Sequence, residues 1–289
     1  MKKLLLQLDT SPLPSVFDRV VAHDGGADDV MACGGITPDA VRDLVHGCIF
    51  TRGPKDLRHT AIFVGGTDMA AGEKVFGVVR KTFFGPMRVS VMLDSNGSNT
   101  TAVAAVAKVV QAAGGDVQGA RAVVTAGTGP VGMRAAGLLA KAGADVTITS
   151  RRAVDTAFLE ALQTRFGGAI RAVTMADAAQ AAQVLDGAAL LVSAGPAGVC
   201  MVPRAAWAGR GLRVAADLNA VPPQGVEGIE VQDNGTERDG VIVFGALGVG
   251  GLKMKIHKAC IARLFERNDA VLDAESIADV AQALQASKS

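Results

Sequence analysis

The segment RAVVTAGTGPVGMRAAGLLA, residues 121–140, decides the fold class of the chain. Its first six residues predict a buried β-strand, and the stretch from residue 130 onward predicts a helix rich in small side chains. Between the two stands the motif GxGxxG, formed by Gly127, Gly129 and Gly132. A strand that runs through this motif directly into a helix is typical of a domain that binds a dinucleotide.

Each glycine of the motif has its own physical task. Gly127 permits the tight turn, Gly129 lets a pyrophosphate approach the backbone, and Gly132 lets the helix pack closely on the strand. The N–H groups and the dipole of the helix N-terminus favour a bound phosphate. The predicted phosphate-binding residues are therefore Gly127, Thr128, Gly129, Pro130, Val131 and Gly132.

The end of the following strand predicts which cofactor is bound. An NAD site usually carries a carboxylate there, about 20 residues after the motif, to bind the ribose hydroxyls. This strand instead ends in Ser150, Arg151 and Arg152. A hydroxyl and two guanidinium groups suit a 2′-phosphate, so we predict NADP rather than NAD. The alternative is that both arginines are ordinary solvated surface charges.

Two later strand ends are predicted to reach the same cofactor. Ser193, Ala194 and Gly195 end one strand where a nicotinamide ribose would lie, and Asp217 and Asn219 end another. Ligands of open α/β sheets bind at these carboxyl ends. The alternative for each of the two segments is that its residues only form an ordinary loop and bind no ligand.

Strands and helices alternate along both halves of the chain, which predicts an α/β fold with parallel sheets in two domains. The doublet Gly114-Gly115 is the natural boundary. We predict a substrate domain over residues 1–114, a Rossmann-type NADP domain over residues 115–250, and a cleft between them. The helices of residues 251–289 are expected to pack back on the first domain.

Polar, glycine-rich segments follow strands of the first domain and therefore fall on its ligand edge. One contains Gly65, Gly66 and Asp68, and another contains Asp94, Ser95 and Asn96. A third glycine-rich segment, residues 245–251, precedes the last helices and is interpreted as a loop. The alternative for Asp68 is a helix cap, and for the segment at Asp94 a plain turn.

Composition excludes several classes of function. The 289 residues carry 29 basic and 28 acidic side chains, and a net charge of +1 offers no basic patch for nucleic acid or an anionic membrane. The absence of tyrosine excludes mechanisms with a tyrosine acid. The N-terminus lacks the apolar core of a signal peptide, so we expect a cytoplasmic protein. The four cysteines are scattered, which predicts reduced thiols and no metal site.

Long motifs resemble one known family. The segments GGTDMAAGEKVF, FFGPMRVSVMLDSNGSNTTA, TAGTGPVGMRAA and FGALGVGGLKMKIHKACIARLFE are similar to the bacterial NADP-dependent methylenetetrahydromethanopterin dehydrogenases, and the resemblance covers nearly the whole chain. It implies oxidation of the one-carbon unit of a reduced pterin, with tetrahydromethanopterin or tetrahydrofolate as carrier, by a homotrimer. It leaves the choice between the two carriers open.

The resemblance also implies where the pterin binds. The expected contacts are Gly65, Gly66, Asp68, Asp94, Ser95, Asn96 and Lys255. Hydride loss from a carbon flanked by two nitrogens gives a cation that those nitrogens stabilise, so no protein base is required. None of the four histidines stands in a motif with a carboxylate, and no acid or base is predicted, with Lys255 as the one possible exception.

Two other functions remain open at this point. A shikimate-type NADP-dependent hydroxy-acid dehydrogenase would require a Lys–Asp pair in the first domain, and no such pair stands in the expected place. A non-enzymatic NADPH sensor would keep the glycine motif but would not need the polar loops of the first domain.

Overall fold

The computed structural model describes residues 1–286, which form two compact units. One unit comprises residues 1–100 and the C-terminal segment from Met254, and the other comprises residues 101–253. The chain passes from one unit to the other inside two continuous helices, whereas the glycine pattern predicted boundaries at residues 114 and 250. A helix that continues across a boundary carries no turn signal there.

The first unit is built from alternating strands and helices that start at the N-terminus. Its elements are β1 (Leu4–Asp9), α1 (Val16–Asp24), β2 (Asp29–Cys33), α2 (Val41–Ile49), β3 (Thr60–Gly65), α3 (Met69–Thr82), β4 (Ser90–Leu93) and the first residues of α4 (Ser98–Ala112).

Alternation continues in the second unit, after helix α4. Its elements are β5 (Arg121–Thr125), α5 (Pro130–Lys141), β6 (Asp145–Ser150), α6 (Thr156–Phe166), β7 (Ile170–Thr174), α7 (Ala181–Val184), β8 (Leu190–Ser193), β9 (Val214–Asp217), β10 (Asn234–Arg238), β11 (Val241–Phe244) and most of the first half of α8 (Ala246–Leu264). The chain then adds β12 (Val271–Leu272) and α9 (Ala274–Ala286) to the first unit.

The sheet of the first unit is parallel, in the order β12-β4-β3-β1-β2. One face is apolar, because Leu6, Leu8 and Val64 join a core with Val45 and Phe76 from helices α2 and α3. Successive side chains of a strand point to opposite faces, so Gln7 and Asp9 of β1 lie on the other face. All strands of this sheet end at one edge, and that edge carries the polar segments.

The sheet of the second unit has the order β10-β11-β9-β8-β5-β6-β7. Strand β10 pairs antiparallel with β11, and all other neighbouring strands of this sheet are parallel. Its core is centred on Trp207, which is completely buried and donates a hydrogen bond from Nε1 to the carbonyl of Glu227 at 3.0 Å. The α/β fold class with two sheets rich in parallel strands is confirmed.

The segment of residues 245–251 is not the loop that its glycine content predicted. Helix α8 begins at Ala246, inside the segment that was predicted to be a loop. Gly245 and Gly248 are needed for close packing, because a Cβ on Gly248 would lie 1.9 Å from the carbonyl oxygen of Asp233 and one on Gly245 only 2.0 Å from that of Glu230. These glycines let the helix start against the backbone of residues 230–234.

Among residues 1–286, none of the helices combines the length and the apolar character that crossing a membrane requires.

Candidate functional site

The glycine motif forms a tight turn between β5 and α5. Ala126 adopts a left-handed conformation with φ of 51°, and Gly127 donates its N–H to the carbonyl of Thr149 at 2.9 Å. A Cβ on Gly127 would lie 2.4 Å from the Cβ of Ile148 in β6. The turn is thus pressed against the neighbouring strand, and only glycine fits.

The start of α5 is equally close to the turn. A Cβ on Gly132 would lie 2.5 Å from the carbonyl oxygen of Ala126 and 2.9 Å from the Cα of Gly127. Gly129 is the N-cap residue, and Pro130 occupies the first turn, where a missing N–H costs nothing. Val131 follows in the same turn. The N-cap position of the helix therefore carries no side chain where a phosphate would approach it.

A pocket of about 580 Å³ opens beside this turn, within the range usual for small-molecule sites. Its walls are Ala126, Thr128, Gly129, Ser150, Arg151, Arg152, Ala194, Pro196, Val199 and Met201. The structure thus brings the glycine loop together with the predicted 2′-phosphate residues and with the segment after β8. The pocket and the glycine-rich turn fit a dinucleotide with an extra phosphate.

Four pocket residues were not predicted from the sequence: Ala126, Pro196, Val199 and Met201. Ala126 directly precedes the glycine motif, and the other three belong to the segment that begins at Ala194, directly after β8. Met201 lies further along this segment and also lines the pocket. Its side chain packs over Gly195, since its sulfur lies 2.4 Å from where a Cβ on Gly195 would be. The signal in the sequence was the end of strand β8. The pocket wall continues along the following loop to residue 201, beyond Ser193, Ala194 and Gly195, which were predicted.

The carboxyl edge of this sheet carries a row of buried polar side chains. Thr125, Ser193 and Asp217 stand in register on adjacent strands β5, β8 and β9. They are 1%, 0% and 1% exposed, and the hydroxyl of Thr125 has no hydrogen-bond partner within residues 1–286. Buried polar atoms are nearly always hydrogen-bonded, and this hydroxyl lies just before the glycine turn. The unpaired hydroxyl therefore supports a ligand at this edge of the sheet.

Asp217 and Asn219 organise the loop that follows β9. Asp217 accepts hydrogen bonds from the N–H groups of Val226, at 3.0 Å, and Asn219, at 3.2 Å. Asn219 in turn donates to the carbonyl of Pro223 at 3.0 Å. Burial raises the pKa of Asp217 above its ordinary value, although these hydrogen bonds and one from Ser193 lower it. Direct contact of Ser193, Asp217 or Asn219 with a cofactor stays a prediction.

The ligand edge of the first unit is held by backbone contacts between the ends of β3 and β4. Ser95 donates from Oγ to the carbonyl of Gly65 at 3.0 Å, and the N–H of Asn96 donates to Gly66 at 2.6 Å. Asn96 adopts φ of 54° and is exposed. The structure therefore brings Gly65, Gly66, Ser95 and Asn96 together, as predicted from their places after two strands.

The two aspartates of these segments play different parts. Asp68 is exposed and caps α3, accepting from the N–H groups of Ala70, at 2.8 Å, and Ala71, at 3.1 Å. Asp94 is completely buried, and it accepts from the N–H groups of Asn99, at 2.9 Å, and Thr100, at 3.0 Å. Its second oxygen accepts from the Thr100 hydroxyl at 2.6 Å. Both carboxylates thus hold helix starts, and their contact with a pterin stays a prediction.

One histidine has a carboxylate beside it, a pairing that no sequence motif indicates. The Nδ1 atom of His257 lies 3.9 Å from Oδ2 of Asp94, and both side chains are completely buried. The His257 ring also stacks on Phe63, with ring centroids 5.6 Å apart. The two residues are 163 positions apart in the sequence, so no motif joins them. Lys255 is exposed within α8, near the middle of the helix and not just after a loop.

A second buried polar group was missed at the end of β1. Gln7 and Asp9 are each 1% exposed, and the amide of Gln7 donates to Oδ2 of Asp9 at 3.5 Å. Asp9 pairs in register with Gly65 of β3. The signal was present in the strand sequence LLLQLD, where two polar residues stand on one face of an otherwise apolar strand.

Comparison with known proteins identifies the relatives of this chain. A family model described as "Methylene-tetrahydromethanopterin dehydrogenase, N-terminal" matches residues 16–96. The chain is 53% identical over 283 residues to the "Bifunctional protein MdtA" of Methylorubrum extorquens, covering 97% of this chain and 98% of that protein. It is 32% identical to the NAD(P)-dependent methylenetetrahydromethanopterin dehydrogenase of the same organism, over 88% and 89% of the two chains.

Solved structures add a likeness of fold. Shikimate 5-dehydrogenase from Listeria monocytogenes superposes with a TM-score of 0.56 at 12% identity, covering 96% of each chain. At that identity the likeness concerns the fold alone. The curated relatives confirm the family predicted from the motifs: the chain belongs to the methylenetetrahydromethanopterin dehydrogenase family, a family of oxidoreductases.

Proposed function

We propose that this protein transfers a hydride from the methylene carbon of methylene-tetrahydromethanopterin or methylene-tetrahydrofolate to NADP⁺, leaving the methenyl cation, in one-carbon oxidation. The observation that carries the proposal is the pocket that joins the glycine turn to Ser150, Arg151 and Arg152. The family to which the chain belongs supports the pterin carrier as the substrate.

The chain's own residues account for the binding of NADP. The N-terminus of α5 takes the pyrophosphate, because its N-cap residue, Gly129, carries no side chain and the backbone can be approached closely. The hydroxyl of Ser150 and the guanidinium groups of Arg151 and Arg152 take the 2′-phosphate, which favours charged donors in a fork geometry. When bound, NADP⁺ supplies the hydride acceptor in its nicotinamide ring.

The pterin side of the proposal assigns positioning rather than proton transfer to the protein. The donor carbon lies between two nitrogens whose lone pairs stabilise the product cation, so the reaction has no proton to remove. Residues at the ligand edge of the first unit, Gly65, Gly66, Ser95 and Asn96, are proposed to hold the carrier in place. The buried pair Asp94–His257 is proposed to support this edge from below.

A direct test is to mix the purified protein with NADP⁺ and each methylene carrier and to follow absorbance. The proposal expects the methenyl chromophore and NADPH to appear together, in equal amounts. NADPH formation with shikimate and none with either carrier would contradict it and would favour the hydroxy-acid alternative. Cofactor binding without turnover of any of the three substrates would favour a sensor. The homotrimer and the cytoplasmic location stay predictions.

A further inference from the structure

The wall of the cofactor pocket that follows β8 has no regular structure of its own. This wall segment, residues 194–202, lines the pocket mainly with the apolar side chains of Pro196, Val199 and Met201. It contains no helix and none of the numbered strands, and Val199 is 45% exposed and open to a ligand. Backbone groups of such a segment must be hydrogen-bonded elsewhere, so its position is set by the residues to which it bonds.

The backbone of the wall segment is hydrogen-bonded to a second irregular segment, residues 219–226. The N–H of Gly198 donates to the carbonyl of Val221 at 3.2 Å. The N–H of Met201 donates to the carbonyl of Gly225 at 2.8 Å. The position of the pocket wall therefore depends on how the segment with these two carbonyls is held.

Asp217, the last residue of β9, holds both ends of the 219–226 segment. Its Oδ1 atom accepts from the N–H of Asn219 at 3.2 Å, and its Oδ2 atom accepts from the N–H of Val226 at 3.0 Å. Gly225 lies directly against the carboxylate, since a Cβ on that residue would be 2.6 Å from Oδ1. Asp217 is 1% exposed and does not itself line the pocket. One buried carboxylate thus fixes the segment to which the wall is bonded.

The middle of the same segment is fixed by Asn219, which is also buried. Its Oδ1 atom accepts from the N–H of Val221 at 2.9 Å, and its Nδ2 atom donates to the carbonyl of Pro223 at 3.0 Å. Because the carbonyl of Val221 accepts from the wall, a chain of hydrogen bonds runs from Asp217 to Gly198. Connected and satisfied networks of this kind make the segments that they join rigid.

The other side of the pocket indicates which part of the cofactor meets this wall. Ser150, Arg151 and Arg152, which are proposed to bind the 2′-phosphate, line the same pocket as the wall segment. In NADP that phosphate is carried by the ribose of the adenosine, so the adenine base attached to the same ribose lies close to it. A mainly apolar wall suits the flat base, whereas the charged side suits the phosphate.

We propose that Asp217 is a positioning residue for cofactor binding, which acts on the adenosine half of NADP through the 219–226 segment and the wall segment. The inference rests on the proposed function, which places NADP in this pocket. It assigns to Asp217 and Asn219 the task of holding the wall that touches the cofactor, in place of the direct contact expected from their position after β9.

The test uses 2′,5′-ADP, which is the adenosine half of NADP without the nicotinamide. Dissociation constants are measured by calorimetry for the parent and for Asp217→Asn. The variant is expected to bind about tenfold more weakly, because its amide offers one acceptor oxygen where the carboxylate offers two. One end of the 219–226 segment is then released, and the wall segment loses its fixed position.

Cys200 reports whether the wall itself has loosened. It lies in the wall segment and is partly exposed, so its alkylation by iodoacetamide can be followed by mass spectrometry of its peptide. Without ligand it is expected to react about threefold faster or more in Asp217→Asn, since a loosened segment opens more often. Cys33, partly exposed in the first unit, is expected to keep its rate and is the internal control. Loss of a direct cofactor contact alone would leave the rate of Cys200 unchanged.

Asp233→Asn is the matched control for a general loss of stability. Asp233 is also a buried aspartate of the second unit, but its carboxylate holds the N–H of Glu230 and the guanidinium group of Arg238 instead. This variant is expected to bind 2′,5′-ADP like the parent and to show the parent's rate at Cys200.

Asn219→Ala is the second variant, for the case in which Asp217→Asn does not fold. It removes the two side-chain hydrogen bonds within the 219–226 segment and leaves β9 unchanged. It is expected to weaken the binding of 2′,5′-ADP and to speed the alkylation of Cys200, as Asp217→Asn does.

The inference is overturned if the folded variant binds 2′,5′-ADP like the parent, if Cys200 keeps its rate while binding is lost, or if Asp233→Asn causes the same loss. When the parent binds 2′,5′-ADP and produces NADPH from a methylene carrier, such a result leaves the proposed function intact. When the parent does not bind 2′,5′-ADP, the cofactor site of the proposed function fails and this inference fails with it.

Discussion

Nδ1 of His257, on helix α8, lies 3.9 Å from Oδ2 of Asp94, at the end of strand β4, and neither side chain is exposed. The same carboxylate holds the first turn of α4 through Asn99 and Thr100. One buried group therefore joins a strand end to two helices. This is the pairing of histidine and carboxylate that a general base would need, so it is the place to test whether the reaction uses one.

We expect hydride transfer to proceed without His257 as a base. His257→Gln should keep its single-turnover rate within about tenfold of the parent, and both rates should be nearly independent of pH between about 6 and 9, because a general base typically contributes roughly 10²–10⁴-fold. Lys255→Ala should likewise keep measurable turnover. Stopped-flow formation of NADPH across this range checks both points. A steep limb near neutral pH that disappears in one variant would identify that residue as an acid or base.

Asp94→Asn is expected to act on stability as well as on pterin binding. The neutral amide oxygen of asparagine accepts more weakly than a carboxylate from the N–H groups of Asn99 and Thr100. Its NH₂ group would also be a donor among groups that themselves donate to Asp94. The free energy of unfolding should fall by about 1–3 kcal/mol, as for other buried groups that lose a partner. Urea denaturation at pH 7 measures the loss.

Asp68→Asn is the matched control for this prediction. Asp68 also caps a helix through its carboxylate, but it is exposed, and asparagine caps helices about as well as aspartate. Its denaturation midpoint should stay close to that of the parent. Equal losses in the two variants would mean that the burial of Asp94 does not matter.

The two arginines after β6 are expected to select the cofactor. Replacing Arg151 and Arg152 by alanine should weaken NADPH binding by about tenfold or more, because charge-assisted hydrogen bonds to the 2′-phosphate are lost. NADH binding should change little, since NADH has no such phosphate. Fluorescence titration with both cofactors measures this, with the exposed Arg210→Ala as control. A parallel fall in both affinities would contradict the assignment.

Two glycines of α8 should respond in opposite directions to alanine. Gly248→Ala is expected to destabilise the protein, because its Cβ would lie 1.9 Å from the carbonyl oxygen of Asp233. At Gly250 a Cβ would meet nothing within 4 Å. Gly250→Ala should therefore stabilise by about 0.5–1 kcal/mol, the usual gain from alanine inside a helix. Thermal denaturation of the pair decides, and two equal shifts would contradict the packing described for Gly248.

Asp233 is expected to make stability depend on pH. Burial raises the pKa of Asp233, but hydrogen bonds from Arg238, at 2.7 and 2.8 Å, and from the N–H of Glu230 more than offset this, so the pKa lies below 3.8. A carboxyl whose folded pKa is depressed stabilises the fold above pH 3.8, and this contribution is lost as the pH falls through the folded pKa.

Asp233→Asn should therefore lower the free energy of unfolding at pH 7 by about 1–2 kcal/mol, a moderate loss because Arg238 is one-third exposed. Its difference from the parent should shrink below pH 3.8. Asp239→Asn, which breaks a similar but more exposed pair with Arg204, should show a smaller change. Denaturant titrations at pH 7 and in steps below pH 4 measure both. A difference that persists in acid would refute the linkage.

The local sequence was sufficient for the cofactor domain. The motif from Gly127 to Gly132, its flanking strand and helix, and the residues Ser150–Arg152 all lie within about 30 positions, and their chemistry is short-range. The strands with strong apolar runs were also predictable, such as those at Leu190 and Val214. Three of the strands that escaped prediction, β2, β10 and β12, are short or polar edge strands with a weak hydrophobic pattern. The apolar strand β11 also escaped prediction, because a run of four apolar residues alone does not distinguish a strand from a helix segment.

Tertiary structure alone decided which buried polar groups meet. By itself the sequence determined that polar residues follow β3 and β4, because the elements alternate and strand ends are local features. It did not determine that Asp9 pairs with Gly65, or that His257 lies against Asp94, since those residues are brought together by the order of strands and the packing of α8. The physical reason is that secondary structure depends on neighbours along the chain, whereas a site depends on residues distant in sequence whose meeting is fixed only when the sheet assembles.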